Sequence, residues 1–120
     1  IALKTAAAPA LRDGGVIVVT TAASEGVGQH GLFEPGGMSY RAPQPKRFLK
    51  NRELWLYAPE VPTAEARKLY WEGYPVFHHP DELQFALGER FPQRARGGVF
   101  PCAPMQQVSD QRCLAKGVAV

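Results

Sequence analysis

The stretch Val16-Ile17-Val18-Val19-Thr20-Thr21-Ala22-Ala23 is β-branched and nearly continuous in apolar character. A run without polar alternation suits a parallel strand covered on both faces, so residues 16–23 are expected to form the central strand of a sheet. Upstream, Leu3, Ala6, Ala7, Ala10 and Leu11 recur at helical spacing until Asp13-Gly14-Gly15 ends the pattern. An opening helix is predicted there, bent or shortened by Pro9. Residues 24–45 carry Gly26, Gly28, Gly31, Gly36, Gly37 and three prolines with little periodicity, a loop long enough to suggest a functional or partner-covered segment.

Further on, a short helix is expected around Lys46–Asn51. Leu54-Trp55-Leu56-Tyr57-Ala58 reads as a second strand ended by Pro59. Thr63 is placed as the N-cap of the next helix, with Glu65 at its positive end and Ala66, Leu69 and Tyr70 on its buried stripe. Pro75-Val76-Phe77-His78-His79 gives a third strand. Pro80-Asp81-Glu82-Leu83 then opens a helix whose Leu83, Ala86 and Leu87 face inward, and Gly97-Gly98-Val99-Phe100-Pro101 gives a fourth strand. This alternation predicts an α/β fold: a small, open, mainly parallel four-stranded sheet flanked by helices, Rossmann-like in character.

Composition changes this picture little. The 120 residues are 45% hydrophobic and 21% charged, as in an ordinary globular domain, and folding at this length buries roughly two-thirds of the chain's surface. Residues 1–108 are read as one α/β domain and 109–120 as an irregular tail. No run of about 18 apolar residues offers a membrane span. Ile1-Ala2-Leu3-Lys4 has neither an initiator Met nor a signal pattern, so the chain is expected to be a piece of a longer polypeptide. Cys102 and Cys113 lack neighbouring His ligands and are expected to be free thiols in a reducing, cytoplasmic compartment. The formal charge is +3, and Arg41, Lys46, Arg47, Lys50 and Arg52 form a run without an acid. Such a run can bind phosphate or RNA, but no nucleic-acid motif accompanies it, so a solvated connector is expected and nucleic acid is not expected as a partner.

Candidate chemistry concentrates after the first strand. Gly26, Gly28 and Gly31 satisfy a G-x-G-x-x-G spacing, where glycines let backbone N–H groups approach a phosphate or carboxylate. A dinucleotide fingerprint also needs a helix at once, which Leu32-Phe33-Glu34-Pro35 does not resemble, and its acidic residue would have to be Glu53, placed before its strand. The position itself still fits, because ligands of open α/β sheets bind beyond the carboxyl ends of strands. Ser24, Glu25 and His30 offer a hydroxyl, a base and a proton carrier there; the plainer reading has Ser24 and Glu25 bonding the turn and His30 on the surface. His78 or His79 either bonds a free helix N–H or lies at the sheet edge, while Trp55, Tyr57, Trp71 and Phe77 read as core aromatics.

The run Ala2 to Val19 with its Asp13-Gly14-Gly15, then Ser24-Glu25-Gly26-Val27-Gly28, resembles the second domain of the nickel-dependent lactate racemase family. Arg52-Glu53-Leu54, Phe77-His78 followed by Asp81-Glu82-Leu83, and Val99-Phe100-Pro101-Cys102-Ala103-Pro104 extend the resemblance, in matching order, over most of residues 1–108. It implies the C-terminal domain of a racemase or epimerase of small 2-hydroxy acids, an isomerase working in a cleft between two domains. The family's nickel pincer nucleotide accepts a hydride from the substrate and returns it. Its catalytic histidines, cofactor-bearing lysine and nickel ligand all belong to the first domain. On this reading the chain holds no catalytic or metal residue, is inactive alone, and has that N-terminal catalytic domain as partner. The family's Tyr-Gln-x-x-Lys pattern maps only Lys4, since Ile1 and Ala2 do not match. The substrate-binding candidates are therefore Lys4, Ser24, Glu25, Gly26, Gly28 and His30, with the Gly-rich loop as a gate over the cleft. The alternative is a non-catalytic α/β module that binds an anion or nucleotide through the Gly26–Gly31 loop and the basic 41–52 stretch.

Overall fold

The computed structural model describes residues 11–24, 31–32, 36–67 and 73–100. Three parallel strands, β1 (Val16–Thr20), β2 (Glu53–Tyr57) and β3 (Val76–Phe77), form a small open sheet in that order. A 3-10 turn (Arg47–Leu49) precedes β2, α1 (Thr63–Ala66) lies between β2 and β3, and α2 (Pro80–Arg90) follows β3. The α/β class is as expected from the pattern, but the centre of the sheet is not. Among the described residues β2 is the middle strand and β1 lies at an edge, because an apolar run reports burial and not which neighbours a strand acquires.

Register explains the layers. Ile17 pairs with Leu54, Val19 with Leu56, and Leu56 with Val76, so these side chains share one face. That face carries the core. Leu49 from the 3-10 turn joins Ile17 and Leu54, with Leu11 and Phe48 beside them, and Val61, Ala66 and Tyr74 pack with Leu56 and Ala58. Both connections thus run over the same face, as right-handed crossovers between successive neighbouring strands require. The Tyr74 hydroxyl closes this layer by donating to the Ala66 carbonyl.

The opposite face holds Glu53, Trp55, Tyr57 and Phe77. Trp55 is buried against Phe77 with ring centroids 5.4 Å apart, and its indole N–H donates to Glu53. Leu83, Ala86, Leu87 and Arg90 form one stripe of α2, and Arg90 binds the Glu53 carboxylate and the Gly14 carbonyl, each at 2.8 Å. Leu83, Ala86 and Leu87 of that stripe are half-buried rather than core, and Phe85 stands 73% exposed on another side of the helix. Tyr57 is half-buried, and Trp71 lies outside the described residues.

Several boundaries shift. β1 ends at Thr20 and β3 spans two residues. Thr63 is the first helical residue, with Pro62 at the cap position. Residues 97–100 are irregular, so the predicted fourth strand is absent from the described residues. Two adjacent glycines weaken strand formation there, and Pro101 brings no N–H for a ladder. The opening helix, both cysteines and the 109–120 tail lie outside the described residues, apart from Leu11 at the helix's end. Among the described residues no helix is long and apolar enough to cross a membrane.

Two turns set the amino edge of the sheet. Gly15 N–H donates to the Arg12 carbonyl, and Gly14 takes φ 75°, which glycine adopts without steric penalty. Before β2, the Arg52 N–H donates to Leu49 O, and Lys50 takes φ 54°, ψ −117°. Those angles are the second position of a type II′ turn, where glycine normally sits. Replacing Lys50 with glycine should therefore stabilise the fold by about 1 kcal/mol. A raised urea midpoint with unchanged slope would bear this out, and a lowered midpoint would refute it.

Candidate functional site

Parallel strands present their carboxyl ends together, and register places Thr20, Tyr57 and Phe77 in one row across that edge. The row is stitched by Thr21 N–H to Tyr57 O at 3.0 Å and Ala58 N–H to Phe77 O at 2.9 Å. Beyond β1 the chain turns tightly, with Ala23 N–H donating to Thr21 Oγ1 at 3.2 Å. Ser24 follows, exposed, at the start of the Gly-rich stretch. Thr20, Thr21 and Ser24 thus bring three hydroxyls to the end of the edge strand.

Of the six substrate-binding candidates, Ser24 alone can be placed. Lys4, Glu25, Gly26, Gly28 and His30 lie outside the described residues. The far end of the loop is anchored, since Ser39 N–H donates to Leu32 O at 3.0 Å. Gly37 permits that approach, because a Cβ there would collide with the backbone of Gly31 and Leu32.

One polar feature escaped the sequence reading. His78 neither caps a helix N–H nor stands free at the edge. Its Nδ1 lies 2.9 Å from Ala58 O and its Nε2 2.9 Å from Thr63 Oγ1. A carbonyl only accepts, so in the neutral ring Nδ1 carries the proton and Nε2 accepts from the threonine hydroxyl. The imidazole is half-buried and clamps the β2–α1 loop to the end of β3. His79, at the cap position of α2, makes no side-chain capping bond. The only local signal for the clamp was a histidine at a strand end; Thr63, fifteen residues earlier, could not be matched to it without the fold.

Charge is unevenly distributed around this edge. Glu60, Glu65, Asp81 and Glu82 follow β2 and β3, the last three in the first turns of α1 and α2 where the helix dipole favours acids. The described end of β1 carries the hydroxyls of Thr20, Thr21 and Ser24. No group of three or more His, Cys, Asp or Glu among the described residues is arranged to hold a metal ion. No family model, curated protein or solved structure matches this chain.

Proposed function

We propose that this chain is the second domain of a nickel-pincer-dependent 2-hydroxy acid racemase or epimerase, forming one wall of the substrate cleft without being catalytic alone. The order of its motifs supports this reading, and one structural observation carries the location of the cleft. After β3, α2 turns back over the second face of the sheet, and Arg90 in its last turn reaches Gly14, next to the start of β1. A right-handed crossover along this path leads to a strand beside β1, which is the winding of a Rossmann-like sheet. Chain direction across such a sheet reverses at β1, and ligands bind in the crevice beyond the carboxyl end of the strand at the reversal.

Thr20, Thr21 and Ser24 stand at that end of β1, and the Gly-rich segment follows them in the sequence. On this reading the hydroxyls orient a small 2-hydroxy acid, Lys4 pairs with its carboxylate, and the loop excludes water. The residues of this chain bind and orient. Proton and hydride chemistry belong to the companion domain.

The test uses the full polypeptide carrying this chain, produced together with the nickel-pincer synthesis machinery. Stoichiometric bound nickel and optical inversion of at least one member of a 2-hydroxy acid panel are expected. A well-folded protein that takes up no nickel and inverts none, where a known family enzyme is active, would overturn the reading.

A further inference from the structure

We propose that the amino edge of the sheet, opposite the cleft, is a docking surface for the phosphate backbone of double-stranded nucleic acid. Two turns meet at this edge. The one before β1 carries Arg12, the one before β2 carries Lys50, and the adjoining 3-10 turn brings Lys46 and Arg47. They are held side by side because Glu53 N–H donates to Gly15 O at 3.0 Å and Arg52 Nε donates to Leu11 O at 2.9 Å.

The balance of charge here differs from what the linear run suggests. Arg52 is consumed by structure, through Leu11 O, Leu49 O and Asp13 at 3.3 Å. The two acids of the edge are engaged as well, Asp13 by Arg52 and Glu53 by Arg90. Arg12, Lys46, Arg47 and Lys50 are exposed and form no ion pair among the described residues. The turn that presents them is rigid, because Leu49 is 4% exposed in the core beneath it. Lys50 stands in a backbone conformation suited to glycine.

Two observations favour phosphate over an acidic protein. Among the described residues the exposed large apolar side chains, Leu32, Met38, Phe85 and Val99, all lie outside these turns, which present cations rather than the apolar centre of a protein interface. The chain's pI is about 9.1, and four exposed cations, Arg12, Lys46, Arg47 and Lys50, share these adjoining turns, a local basic patch of the kind that contacts phosphates. No aromatic ring is exposed on the turns for stacking, so the contacts are to backbone phosphates and independent of sequence. The acids near the opposite edge, roughly 16 Å away along five strand residues, orient the approach.

Fluorescence anisotropy of the full chain with a labelled 20-base-pair duplex tests this. With about three phosphates neutralised, raising salt from about 50 to 200 mM should weaken binding roughly 40-fold. The triple variant Lys46→Gln, Arg47→Gln, Lys50→Gly should lose at least about tenfold in affinity and most of the salt slope, while Arg67→Gln should match the parent. Should the triple variant fail to fold, Arg47→Gln alone should reduce the slope by about one. No binding at 50 mM salt, an unaltered slope in the variants, or equal affinity for polyglutamate would each overturn the proposal, the last in favour of an acidic protein partner.

Discussion

Leu56→Ala is expected to lower folding stability by about 3–4 kcal/mol, with the denaturant midpoint falling and the slope unchanged. Leu56 lies in the middle strand, 1% exposed, paired to Val19 on one side and Val76 on the other. It packs in the cluster of Ala58, Val61, Ala66 and Tyr74, drawn from β2, its loop, α1 and the approach to β3. These neighbours are fixed by strand pairing and by the Tyr74–Ala66 hydrogen bond, so they cannot collapse into the space left by three carbons. Leu83→Ala on half-buried α2 provides the contrast, with an expected loss below about 1.5 kcal/mol. A Leu56→Ala loss as small as that of Leu83→Ala would show that the core does not lie on this face.

His78→Ala should cost about 2 kcal/mol, and more than Thr63→Val. Removing the ring takes away two hydrogen bonds at once and leaves the Ala58 carbonyl and the Thr63 hydroxyl to find water in a half-buried place. Thr63→Val breaks the outer bond alone, for about 1 kcal/mol. The two effects should not add: in the double variant the Thr63 contribution is already lost with the ring, so coupling of at least about 0.5 kcal/mol is expected. Strict additivity in urea denaturation would mean that the Nε2–Oγ1 bond contributes nothing in solution.

The candidate site was legible only in outline. The position of a Gly-rich segment beyond a buried strand can be read from residues 16–31, because strand propensity and glycine content are local properties. Ser24 does stand just past β1, at the carboxyl edge of a parallel sheet. The clamp of His78 on Ala58 and Thr63 was not readable, since it joins groups fifteen and twenty positions apart. The basic run 41–52 shows the same limit. All five cations look equivalent in sequence, yet packing converts Arg52 into a structural tie and leaves Lys46, Arg47 and Lys50 facing solvent.

Local pattern was sufficient for the class of fold. β-branched Val16–Val19, the apolar Leu54–Leu56 and the proline-led start of α2 declare their own conformations through steric and dipolar effects within a few residues. Which strand lies in the middle, which face takes the core, and which charges are spent on holding turns were settled by packing in three dimensions. The continuous run of β1 suits a central strand, but among the described strands β2 lies in the middle, because strand order follows from right-handed connections and from which faces the 3-10 turn, α1 and α2 can cover. Those are relations between distant segments, and no residue carries them alone.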